Sequence, residues 1–132
     1  MDQNFDVRSK QRFENFKKAL DLYQEAISPK MSKLEEEGLI QRFEYTFELA
    51  WKCLQDLLAE RGYANVRGPG PVIEQAFQDG IITEGPVWLE MLKARNETTH
   101  LYNQNIFESI KKSVKGPFLV ALQKFETAFQ SK

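Results

Sequence analysis

The chain has 132 residues, enough for one domain with a real core, and 42% are hydrophobic, among them ten Phe, two Trp and four Tyr, which excludes a disordered chain. Eighteen Lys plus Arg nearly balance nineteen Asp plus Glu. That balance gives no global basic surface for non-specific nucleic-acid binding, although it is compatible with a local phosphate site. A single cysteine, Cys53, excludes an internal disulfide framework and fits a reducing cytoplasm. The lone histidine lies far from it in sequence, which argues against a Cys–His pair. The opening MDQNFDVRSK is polar and lacks an apolar h-region, so no signal peptide is expected, and no apolar run approaches a membrane span. The expectation is one soluble cytoplasmic domain over residues 1–132.

Apolar residues recur at helical spacing along most of the chain. Phe13, Phe16, Leu20, Tyr23 and Ile27 mark one face of a first helix, closed by Ser28-Pro29. Ile40, Phe43, Phe47, Ala50, Trp51, Leu54, Leu57 and Leu58 mark a long second helix ending near Gly62. Its start is left open, because Gly38 interrupts the pattern after Glu35-Glu36-Glu37, acids that read as a solvated first turn with a favourable dipole interaction. The loop GYANVRGPGP (62–71) follows, and its Arg67 is a candidate for exposure near a ligand, though a plain surface connection is the simpler reading.

Pro71 suits the first turn of a short helix through Val72, Ile73, Ala76 and Phe77, stopped by Gly80. Thr83 can cap a fourth helix through Pro86, Trp88, Met91, Leu92 and Arg95. Asn105 and Glu108 stand at capping-box spacing and predict another helix through Ile110 and Val114. Lys111, Lys112 and Lys115 could guide RNA, but a solvated helix end explains them more simply. Gly116-Pro117 restarts the chain into a final helix with Phe118, Leu122, Phe125 and Phe129 inward. No segment alternates with period two. The predicted fold is all-α, an antiparallel up-and-down bundle of four to five main helices.

The polar stretch KARNETTHLYNQN (93–105) breaks this pattern and holds the one histidine, His100. On a straight helix Arg95 and His100 would lie about 140° apart, while Arg95, Thr99 and Tyr102 share a face. Two routes could bring Arg95 and His100 to one substrate. The helix ends or distorts between Asn96 and Thr99, as the run of Asn and Thr favours, or two motifs pair across a symmetric dimer. A histidine exchanges protons near neutral pH, an arginine offers a fixed fork to phosphate, and a tyrosine offers a hydroxyl. That set suits metal-free cleavage of an RNA phosphodiester. With one His, one Cys and no carboxylate cage, no metal site and no cofactor is expected. The chain does not read as a nucleotidyltransferase itself, since GPGP is not followed by any D-x-D.

The string Arg95-Asn96-Glu97-Thr98-Thr99-His100 resembles the R-N-x-x-x-H signature of the HEPN superfamily, and the extension to Tyr102 resembles the subgroup encoded beside minimal nucleotidyltransferases. QRFEYTFELAWKCLQDLL (41–58) and GIITEGPVWLEMLKARNETTHLYN (80–103) are similar to the nucleotidyltransferase substrate-binding protein family within it; the likeness covers about residues 10–130. The resemblance implies a homodimeric HEPN toxin, a metal-independent endoribonuclease acting on RNA rather than DNA, silenced when a minimal nucleotidyltransferase antitoxin adds AMP to Tyr102. It casts Arg95 and His100 as catalytic, with Asn96 and Thr99 in support. The alternative it leaves is a non-catalytic substrate- or nucleotide-binding subunit of a two-component nucleotidyltransferase. A third reading makes the chain only a dimeric helical adaptor.

Overall fold

The computed structural model describes residues 3–130. Among them lie six α-helices: α1 (Gln3–Ala26), α2 (Lys33–Glu60), α3 (Pro69–Gln78), α4 (Gly85–Glu97), α5 (Gln104–Lys115) and α6 (Pro117–Gln130). A 3-10 turn, Thr98–His100, sits between α4 and α5, and the described residues contain no strand. Five main helices with one short one match the predicted bundle. Met1 and Asp2, which begin the stretch read as a polar N-terminus, lie outside the described residues, as do Ser131 and Lys132. None of the described helices is long and apolar enough to cross a membrane.

The helical spacing read from the sequence becomes one shared core. Phe16, Leu20 and Tyr23 of α1 meet Leu39, Ile40, Phe43, Phe47, Leu54 and Leu58 of α2, all with no exposed surface. Phe43 stacks on Phe118 of α6, and Trp88 of α4 stands edge-on to Phe125. The α1–α2 pair is antiparallel: Arg12, early in α1, ion-pairs with Asp56, late in α2, at 2.7 Å. At the other end Arg42 Nη1 donates to the carbonyl of Leu22 at 2.6 Å. The buried Tyr23 hydroxyl donates to the Val114 carbonyl at 2.5 Å, tying α1 to α5, and burial pushes its acidity far down.

Two helix starts differ from the predicted ones, and the start of the second helix, open in the sequence, is fixed by the structure. The second helix begins before Gly38, because Ser32 and Glu35 form a capping box that satisfies the backbone N–H groups of both. The third begins at Pro69, which leaves Pro71 in its first turn as predicted. The fourth is not capped by Thr83; Glu84 stands at its N-cap, and the Thr83 hydroxyl donates to the Glu84 carboxylate at 2.9 Å instead. Gly85 opens α4 directly over Phe77, where an added Cβ would come 2.5 Å from the ring. The fifth begins at Gln104 because Asn103, not Asn105, accepts the orphan N–H groups of Asn105 and Ile106.

In the acidic run Glu35 and Glu37 are exposed, as its solvated reading expects, and Glu36 departs from it. Glu36 lies 3.3 Å from Lys111 and 3.2 Å from Lys115, joining the start of α2 to the end of α5. Burial pulls the Glu36 carboxyl up, but the two lysines outweigh it and hold the group below its ordinary value. Two members of the basic cluster are therefore occupied by their own chain.

Candidate functional site

The stretch 93–105 owes its shape to where α4 stops. Thr98 caps the helix with its N–H on the Arg95 carbonyl, and Thr98–His100 tighten into the 3-10 turn. The Asn103 N–H then donates to the His100 carbonyl at 3.0 Å, and the Asn103 side chain starts α5. Leu101 packs partly buried against the core and holds this turn down. The expected break between Asn96 and Thr99 is present, and it takes His100 and Tyr102 off the helix.

Arg95 stays on the helix and turns inward. Its Nε lies 2.7 Å from Glu48 Oε1 on α2, and its Nη1 donates to Asn96 Oδ1 at 3.2 Å. The second Glu48 oxygen accepts from Trp51 Nε1 at 3.2 Å. Next to this pair, the Thr98 hydroxyl lies 3.2 Å from Glu44 Oε2 and 2.9 Å from the Arg95 carbonyl, with one proton to serve either. Burial raises the Glu44 carboxyl above its ordinary value, while Thr98 and Arg95 pull it down and Glu48 adds to the rise. The result is a part-buried cluster of two acids, one guanidinium and one hydroxyl, built by α2 and the end of α4.

His100 and Tyr102 face the other way, toward solvent. The Tyr102 hydroxyl is 3.5 Å from His100 Nδ1, at the long limit of a hydrogen bond, with the rings edge to face. Tyr102 is 84% exposed, the most accessible of the large apolar side chains among the described residues. No contact joins Arg95 to His100 among the described residues. Thr99 is exposed, and it is Thr98 that reaches Glu44. The sequence reading missed Glu44, Glu48 and Thr98. The signal for the acids was present in EYTFE (44–48), two like charges four residues apart beside a buried aromatic face. Such a pair is unfavourable on its own and calls for a cation between the two.

By fold and site, then, this is a small helical module that presents a polar helix end. The chain belongs to the nucleotidyltransferase substrate binding protein like family, which it matches over residues 11–131. A Thermus thermophilus protein of known crystal structure is 32% identical, with a TM-score of 0.77 over 83% of this chain and 94% of its own. A Haemophilus influenzae protein, described as having the fold of a substrate binding domain of a nucleotidyltransferase, shares the fold at 18% identity. Its TM-score is 0.64, over 96% of this chain and 98% of its own. Among curated proteins there is no match.

Proposed function

We propose that this chain is the substrate-side subunit of a two-component nucleotidyltransferase, and that its Tyr102 hydroxyl is the acceptor offered to the transferase partner. The observation that carries this reading is the pairing of an 84% exposed tyrosine with an imidazole nitrogen 3.5 Å from its hydroxyl. The family assignment supports the kind of partner. In the transfer, the Tyr102 oxygen bonds to the α-phosphorus of a nucleoside triphosphate and the bond to the departing pyrophosphate breaks. The phenol proton passes to His100 Nδ1, which requires the imidazole tautomer that carries its proton on Nε2. The test is label transfer from ATP by the partner transferase with magnesium. Tyr102→Phe is expected to abolish labelling and His100→Ala to slow it by at least about tenfold. Full labelling of Tyr102→Phe overturns the reading.

A second reading, a metal-independent HEPN-type ribonuclease, is favoured by the 3-10 turn that takes His100 off the axis of α4. In it Arg95 would exchange Glu48 for the scissile phosphate, His100 would transfer protons, and a homodimer would bring two motifs together. AMP on Tyr102 would add negative charge beside the RNA phosphate and silence the reaction. Cleavage of structured RNA in a chelator by the parent, and not by His100→Ala, is the result this reading predicts.

A further inference from the structure

The turn that carries His100 and Tyr102 is short, and little of its own backbone holds it. Thr98–His100 form one 3-10 turn, and the Asn103 N–H closes onto the His100 carbonyl at 3.0 Å. Side chains three residues apart eclipse in a 3-10 helix, so Thr98 and Leu101 share a side that His100 does not. That side faces the bundle: Thr98 reaches α2, and Leu101 packs partly buried against the core. Thr99, His100 and Tyr102 are exposed.

The apolar contact of Leu101 has no preferred direction, whereas a hydrogen bond fixes both distance and angle. The Thr98 hydroxyl makes the only hydrogen bond among the described residues that ties this turn to α2, 3.2 Å from Glu44 Oε2. It has a single proton for two acceptors, the Glu44 carboxylate and the Arg95 carbonyl at 2.9 Å. The carbonyl is nearer, but it already accepts the Thr98 N–H. The part-buried carboxylate has no other hydrogen-bond donor among the described residues, and the Arg95 guanidinium beside it is held by Glu48 at 2.7 Å. A bond to an ionised acceptor is also the stronger of the two. The proton therefore goes to Glu44, and the turn is fastened to α2.

We propose that Glu44 is a positioning residue: through the Thr98 hydroxyl it fixes the 98–102 turn so that the Tyr102 hydroxyl stands beside His100 Nδ1. Among the described residues Glu44 makes no hydrogen bond to Tyr102 or His100, so it acts through Thr98. The consequence for nucleotide transfer rests on the Tyr102 acceptor reading; the fastening of the turn does not.

The test uses the full chain and four variants. Thr98→Val and Glu44→Ala remove the bond, while Thr98→Ser and Glu44→Gln keep a hydrogen-bonding group at each end. Amide hydrogen exchange is read in the chain alone, and AMP labelling with the partner transferase present. Loss of the bond is expected to speed exchange of the Asn103 amide by at least about tenfold. It is expected to lower the kcat of labelling by about as much, with KM for ATP unchanged. The conservative variants are expected to stay within about twofold of the parent, and the Thr98→Val/Glu44→Ala double variant to lose no more than either single one. The Gly80 amide, bonded to the Phe77 carbonyl before the other end of α4, is expected to keep its rate.

Parental exchange at Asn103 in both Thr98→Val and Glu44→Ala overturns the proposal. Losses as large in Thr98→Ser or Glu44→Gln overturn it too, as do additive losses in the double variant or equal quickening at Gly80. Parental labelling by a loosened turn overturns the positioning role. If the exchange pattern holds while the parent takes no AMP, the acceptor reading alone fails and the hold of Glu44 on the turn stands.

Discussion

The Arg95 guanidinium lies 2.7 Å from the Glu48 carboxylate, a residue of another helix. The cation that the motif assigns to a phosphate is thus held by an acid of its own chain. Both side chains remain about a third exposed, so water screens the pair and its worth is modest. A double-mutant cycle with Arg95→Ala and Glu48→Gln, read by urea denaturation, is expected to give a coupling of about 0.5–1 kcal/mol. A coupling indistinguishable from zero would show that the pair does not anchor the end of α4.

Glu44, one turn away on α2, sets a pH dependence. Burial raises its folded-state value above the ordinary 4.5, so the folded chain holds the proton more tightly than the unfolded one. Stability from this group is therefore greatest below the ordinary value and falls as pH rises through the folded one. Glu44→Gln removes the cost of the buried charge. It is expected to melt above the parent at neutral pH, with the advantage fading as pH approaches 4.5. An advantage that grows in acid would contradict this sign.

Trp88 is fully buried, and its Nε1 has no hydrogen-bond partner. Most of its value is thus the ring's packing against Phe47 and Phe125. Trp88→Ala should cost about 3–5 kcal/mol by leaving a cavity. Trp88→Phe keeps an aromatic ring and removes the unsatisfied donor, so it should cost under about 1.5 kcal/mol. Equal losses in the two variants, measured by chemical denaturation, would mean that the indole N–H matters more than this packing implies.

Cys53 is 1% exposed, and burial pushes its thiol up to about 12, with the Asp56 charge adding to the rise. It should resist a thiol reagent at pH 8 in the folded chain and react fully in denaturant. Prompt labelling of the native protein would contradict the packing of α2 against its neighbours.

The core faces of most helices were legible in the sequence, because burial imposes a period that Phe16, Leu20 and Tyr23, or Phe43, Phe47 and Leu54, display directly. Phe77, read with the apolar face of α3, is instead 48% exposed. The break after Asn96 was legible for a different reason, since the Asn and Thr side chains there compete for backbone hydrogen bonds. Helix starts were less so. Asn105 has Glu108 at capping-box spacing and Asn103 has no such partner, yet the path of the turn from His100 selects Asn103. The partners of Arg95 were hidden most deeply. Glu44 and Glu48 lie on another helix, and only the packing of α4 against α2 brings the three together.

Whether Tyr102 accepts a nucleotide with His100 beside it is decided by peptide mapping. The chain is incubated with the partner transferase, ATP and magnesium, digested, and read by tandem mass spectrometry. The expected result is a mass gain of one AMP on the peptide carrying Tyr102, with the fragment series placing it on that residue. AMP found on another residue, or no AMP from a transferase shown to be active and bound, would contradict the acceptor role.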